Sequence, residues 1–261
     1  MHVWSVANQK GGVGKTTTVV TVAGLLAEVG YRVLLIDLDP HGSLTSYFGY
    51  DPDELEDSVY DLFTGDSKIK RDDVTRLLLK SSHERIELIP ASTAMATLER
   101  KAIGDQGMGL QVAKALAQVK DRYDYVLIDS PPVLGVLMVN ALAACQHLLV
   151  PVQTEFLALK GLERMVRTIN MINRARSKKL SFTIIPTFYD RRTQASVSSL
   201  RELHHKYPNE ISNAVIPVDT KFRNASIRGM VPSVMDSSSR GVHSYARLLR
   251  SLLERQKQEV L

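Results

Sequence analysis

The chain holds a single cysteine, Cys145, among its 261 residues. That excludes an intramolecular disulfide framework and any metal or iron–sulfur site needing two cysteines from one chain, and it points to a reducing compartment. Met1–Ala7 offers no basic, apolar and small-residue succession, so no signal peptide is expected. Long hydrophobic runs are missing too. The most apolar stretch, Val133 to Val150, is interrupted by Asn140, Gln146 and His147 and follows Pro131-Pro132. It reads as a buried helix leading into a buried strand, not as a membrane span. No internal repeat, low-complexity tract or linker divides the chain. A cytoplasmic protein with no membrane insertion is the expectation.

What is present is an ordinary globular composition, 44% hydrophobic and 23% charged, in a chain long enough to bury a full core. The net charge of +5 is unevenly spread. Residues 1–150 carry 14 basic and 19 acidic side chains, whereas residues 151–261 carry 19 and 9. A basic second half suits a polyanionic partner or a solvated surface, and composition does not choose between them.

Short runs rich in Val, Ile and Leu alternate with helical patterns. Val3–Ala7, Val33–Ile36, Ile86–Ile89, Tyr125–Ile128, Leu148–Val152 and Phe182–Pro186 read as strands, several without polar alternation, as in strands covered on both faces. Thr16–Val29, Thr93–Arg100, Leu110–Val119, Gly135–Ala144, Leu157–Arg176, Ala195–Tyr207 and Gly241–Glu254 read as helices. The alternation predicts one α/β domain over 1–261, with a mainly parallel sheet and helices on both faces. Residues 51–82, acidic and then basic with weak periodicity, are expected to form a surface excursion of short helices.

Between the first strand and the first helix stands Gln9-Lys10-Gly11-Gly12-Val13-Gly14-Lys15-Thr16-Thr17. Glycines here let backbone N–H groups curl around phosphate oxygens at the positive end of a helix. Lys15 suits the β- and γ-phosphates, and the Thr16 hydroxyl suits magnesium. An ordinary phosphate loop has Gly where this chain has Gln9, and a second lysine, Lys10, opens the glycine run. A nucleoside triphosphate site follows, with Gly11, Gly12, Val13, Gly14, Lys15, Thr16 and Thr17 as its cradle.

Lys-Gly-Gly-Val-Gly-Lys-Thr-Thr resembles the deviant Walker A motif of the ParA/MinD family, the signature-lysine ATPases. The resemblance implies ATP and Mg2+ as cofactors and a homodimer closed over ATP, with Lys10 reaching the partner subunit's phosphates much as an arginine finger does. Asp37-Leu38-Asp39-Pro40-His41-Gly42-Ser43 resembles the family's first switch, usually Asp-x-Asp-Pro-Gln-Gly-Asn. By that match Asp39 orients or activates the attacking water and Asp37 supports the metal, with His41 and Ser43 as departures. Tyr125-Val126-Leu127-Ile128-Asp129-Ser130-Pro131-Pro132 resembles Walker B with the second switch, placing Asp129 at a magnesium-bound water. The match continues through Val150–Glu155 and Thr187–Thr193 to Ile216–Thr220, where Pro217 and Asp219 are implied to lie by the adenine base.

Within the family, one cysteine excludes the iron–sulfur members. The tail Arg255–Leu261 has little apolar face for a membrane-binding helix, and the phosphate loop at residue 9 leaves no room for a preceding helix-turn-helix. Asp39–Ser43, Ser130–Pro132 and Phe156–Arg164 resemble the ParA-like (ParC-type) ATPases of chemotaxis operons. The expected function is an ATP-driven switch that positions polar chemotaxis arrays, slow until stimulated by a ParB-like or polar landmark protein. The alternatives are a DNA-partitioning ATPase and, from another class, a metabolic ligase like dethiobiotin synthetase. Arg191, Arg192, Lys221, Arg223 and Arg228, then Arg240, Arg247 and Arg250, are candidates for contact with non-specific DNA or an acidic partner. Scattered cations with few aromatics suit phosphate contact better than base reading.

Overall fold

The computed structural model describes residues 1–65, 68–98 and 108–258. Seven strands form one sheet: β1 (His2–Val6), β2 (Val33–Asp37), β3 (Leu79–Lys80), β4 (Ile86–Ile89), β5 (Tyr125–Asp129), β6 (His147–Gln153) and β7 (Ser181–Thr187). Their order is β3-β4-β2-β5-β1-β6-β7, parallel throughout except for β3, which runs antiparallel to β4. The six expected strands are all present. The two-residue β3 is too short to leave a pattern.

The helices are α1 (Lys15–Glu28), α2 (Ser43–Tyr47), α3 (Asp61–Thr64), α4 (Arg71–Arg76), α5 (Gln111–Gln118), α6 (Val136–Ala144), α7 (Phe156–Ala175), α8 (Gln194–Lys206), α9 (Lys221–Ile227), α10 (Pro232–Met235) and α11 (Arg240–Gln258). The helix expected at Thr93–Arg100 is a 3-10 turn over Thr93–Thr97, and residues 99–100 lie outside those described.

Successive strand residues point to opposite faces, and here both faces are apolar. Val3, Leu34, Ile36, Val126 and Ile128 join a core with α5, α6 and α7. Trp4, Val6, Val33, Leu35 and Leu127 join a second core with α1 and α11. Double coverage accounts for the missing polar alternation.

The 51–82 stretch does contain short helices, α3 and α4, but it is no mere surface excursion. Val59, Leu62, Phe63, Ile69, Val74 and Leu77 are buried in the first core. Apolar residues spaced irregularly along short elements carry no period, so their burial was not legible. Among the described residues, no helix is long and apolar enough to cross a membrane.

Candidate active site

Parallel pairing brings the carboxyl ends of β1, β2 and β5 side by side, with Val6 opposite Asp129 and Asp37 opposite Asp129. Ligands in open α/β sheets bind in the crevice beyond such ends. The glycine loop leaves β1 there and turns into α1 through Gly12 at φ +72° and Gly14 at φ +91°. That left-handed backbone disfavours side chains and frees N–H groups to face an anion at the start of α1. Val13 is buried and its carbonyl accepts the Thr187 hydroxyl at 2.9 Å, which ties the loop to the end of β7.

Three carboxylates follow, each with a different environment. Asp37 is fully buried, with Oδ1 accepting from Asp39 N at 3.1 Å and Oδ2 from Thr45 N at 2.9 Å and Thr45 Oγ1 at 2.8 Å. Both oxygens are engaged in holding the turn after β2 and α2, so neither is free to ligate a metal, contrary to the expectation that Asp37 supports one. Burial raises its pKa, against the pull of those hydrogen bonds. Asp129 accepts the Thr16 hydroxyl on Oδ2 at 2.6 Å, while its buried Oδ1 has no partner among the described residues. Burial first, and the Asp37 charge second, raise the Asp129 pKa, with Thr16 and Lys15 opposing. Asp39 follows the end of β2, its Oδ1 bonded by His41.

These residues fit magnesium. An orphaned buried carboxylate oxygen beside a threonine hydroxyl, with two carboxyl groups crowding each other, is a demand that a divalent cation meets. Among the described residues no three His, Cys, Asp or Glu side chains form a metal cage. Magnesium bound with a nucleotide is held by a hydroxyl or carboxylate, phosphate oxygens and waters. Thr16 would ligate it, and Asp129 would hold its water shell.

Beside the loop opens a cavity of about 410 Å³, lined by Gly14, Thr16, Thr17, Pro217, Asp219 and aromatic walls from Tyr47, Phe188, Phe222 and Tyr245. Pro217 and Asp219 both line this cavity. Asp219, however, spends its carboxylate internally: Oδ1 accepts Lys221 N at 2.9 Å, and Oδ2 accepts Ser239 Oγ at 2.7 Å and Gly241 N at 3.0 Å. Burial alone would raise its pKa, but these bonds together bring it down. It pins the starts of α9 and α11 and shapes the cavity.

Phe188 is a residue that motif matching gave no role. It is the one non-glycine with positive φ among the described residues, at +52°, and it lines the cavity while 41% exposed. Such backbone strain persists where the surroundings over-determine it, often at ligand sites. No sequence pattern announces it.

Lys10 stands at the outer rim of the loop. Its ammonium pairs with Glu155 and reaches Gln153 Oε1 at 3.4 Å, both at the end of β6 and before α7. Of the five principal contact candidates, Arg192 pairs with Asp190 at 2.7 Å and Lys221 with Asp236 at 3.0 Å. Arg223 is exposed but lines the nucleotide-side cavity. Arg191 and Arg228 are exposed on separate segments, with no ion pair among the described residues.

Fold and site together define a P-loop ATPase with a deviant phosphate loop. A family model described as an AAA domain matches residues 1–182. The sporulation initiation inhibitor protein Soj of Bacillus subtilis is 33% identical over 249 residues, covering 95% of this chain and 96% of Soj. The chromosome-partitioning ATPase Soj of Treponema pallidum is 34% identical over 252 residues, covering 96% of each. Among solved structures, cobyrinic acid a,c-diamide synthase from Mycobacterium smegmatis, with bound ATP analogue and magnesium, matches with TM-score 0.85 at 34% identity, over 98% of this chain and 96% of that one. The chain belongs to the ParA/MinD family of ATPases.

Proposed function

We propose that the protein is a magnesium-dependent ATPase whose ATP-bound form is a homodimer, and that it positions or partitions a cellular cargo. The observation that carries this reading is the meeting of Lys15, Thr16, Asp39 and Asp129 at one sheet end, with Lys10 on the open rim beside it. The loop amides and Lys15 hold the phosphates, and the Thr16 hydroxyl and Asp129 hold the metal and its water. Bound magnesium offsets the phosphate charge. Asp39 orients the attacking water. Lys10 reaches the partner subunit's nucleotide, where a cation stabilises charge building up in phosphoryl transfer. Its pair with Glu155 is no obstacle, because the two side chains are 30% and 42% exposed and such pairs are worth about 1 kcal/mol or less.

The resemblance of Asp39–Ser43 and Phe156–Arg164 to chemotaxis-operon ATPases supports polar chemoreceptor arrays as the cargo, and the Soj relatives support DNA as the alternative. Hydrolysis is slow until a partner such as a ParB-like or polar landmark protein completes the site. Exposed Arg191 and Arg228 are proposed contacts for that partner or for non-specific DNA.

Size-exclusion chromatography with light scattering tests the switch. A dimer with a non-hydrolysable ATP analogue and a monomer with ADP are expected, and Lys10→Ala should stay monomeric in both. A Lys10→Ala dimer overturns the role given to Lys10. A second reading draws on the cobyrinic acid synthase likeness: a metabolic ligase whose γ-phosphate goes to a small carboxylic acid. Phosphate release without any added acid, rising with DNA or a protein partner, favours the switch. Release that needs the acid favours the ligase.

A further inference from the structure

His41 occupies the place where the family's first switch usually has Gln. Asp39 Oδ1 accepts two bonds from this one residue, from the backbone N at 3.1 Å and from Nδ1 of the ring at 2.8 Å. Oδ2 of the same carboxylate accepts none from the described residues. A carboxylate is an acceptor only, so the ring nitrogen facing it carries the proton.

The backbone beneath this pair is fixed from several sides. Gly42 N donates to Asp39 O at 2.8 Å, and Asp39 N donates to Asp37 Oδ1 at 3.1 Å. Gly42 itself is at φ +60°, where a Cβ would stand 2.6 Å from Pro52 Cγ, so the turn is closed to any side chain there. With the main chain held, the freedom left to Asp39 is rotation of its carboxylate. A single donor on Oδ1 leaves the carboxylate plane free to swing, and a second donor on the same oxygen restrains it.

We propose that His41 is a positioning residue for hydrolysis: its imidazole clamps Asp39 Oδ1 so that Oδ2 is the oxygen presented to the attacking water. This rests on the reading of Asp39 as the water-orienting group. The ring is 79% exposed, so the bond adds little to folding stability. Rate is more demanding than stability, since a displacement of about 1 Å can cost up to about a hundredfold. The His in place of Gln thus puts a rigid ring donor where the family usually carries a flexible amide.

The test compares His41→Leu, His41→Asn and His41→Gln in the full chain, reading kcat and KM for ATP, with dimer formation on the non-hydrolysable analogue followed in parallel. His41→Leu should lower kcat about tenfold while KM stays within about twofold and the dimer persists. His41→Asn or His41→Gln, each of which restores an N–H donor, should recover most of the loss. Unchanged kcat in His41→Leu overturns the clamp. So does equal loss in all three variants, and so does a loss that accompanies failure to dimerise. Asp39→Asn is measured alongside: if that variant keeps the native rate, the underlying reading of Asp39 fails instead.

Discussion

The two ends of the sheet bury ionisable groups in opposite ways. At the carboxyl end, Asp37 and Asp129 are fully enclosed, their pKa values raised by burial, and Asp129 Oδ1 is left without a partner among the described residues. At the amino end, beside a cavity of about 670 Å³ lined by His2, Trp4, His147 and Arg255, burial pushes His147 down to about 4, helped by the Arg255 charge. There every demand is met: Nδ1 bonds Ser181 Oγ at 2.8 Å and Nε2 bonds Thr183 Oγ1 at 2.9 Å. Volume alone would have favoured the amino end as the site. Unmet polar demand marks the carboxyl end, because a buried group left short of partners is costly unless something else supplies them.

One substitution at each end sets this contrast at risk, and a third set tests the basic half. Asp129→Asn should bring the largest change, a fall of about a hundredfold or more in magnesium-dependent ATP hydrolysis. The apo protein should nonetheless keep or gain thermal stability at neutral pH, since a charge that burial opposes has been removed. A loss of apo stability matching the loss of activity would make Asp129 a structural residue and erase the distinction between the ends.

His147→Gln is the counterpart at the amino end. A histidine whose folded pKa lies near 4, below its ordinary 6.5, binds fewer protons than in the unfolded chain, so stability falls as pH drops from 6.5 toward 4. That window is worth at most about 3 kcal/mol. Denaturant melts should show the acid slope shrinking by that order in His147→Gln, with ATP hydrolysis unaltered. An unchanged slope would mean the imidazole is not enclosed as described.

The smallest effect concerns the basic half. Removing one exposed cation that forms no salt bridge among the described residues, Arg191→Ala or Arg228→Ala, should weaken any ATP-dependent DNA binding and lower its salt slope by about one each. Arg192→Ala, whose guanidinium is occupied by Asp190, should do less. Equal effects from all three would say that the ion pair opens on contact.

Much of this was readable beforehand, for physical reasons. Strands covered on both faces must be apolar throughout, so β1, β2, β4, β5, β6 and β7 stand out of the sequence. The phosphate loop announces itself because only glycine tolerates the φ of positions 12 and 14 between a strand and a helix. What escaped depends on distance or conformation. Lys10 and Glu155 are 145 positions apart, and only the pairing of β1 with β6 brings their neighbourhoods together. The strained Phe188 has an ordinary residue type in an extraordinary conformation. Asp219 lines the cavity beside the glycine loop, and its bonds to Lys221 N and Gly241 N answer to two helix starts that no local pattern foretells. Arg223, grouped by charge with the surface cations, turned out to line the nucleotide-side cavity.

Helix α11 gives the contrast between the ends a mechanical side. Its start is pinned by Asp219 in the cavity wall, and Tyr245, one turn in, bonds Thr18 of α1 at 2.8 Å. Near its finish, Gln256 accepts from Tyr125 at 2.9 Å and touches His2, at the amino end of the sheet. Nineteen residues at about 1.5 Å each make a rod of about 28 Å. Such a rod works as a strut: the cavity wall and the first residues of β1 and β5 are fastened to one stiff member, so neither can be repacked without the other being pulled.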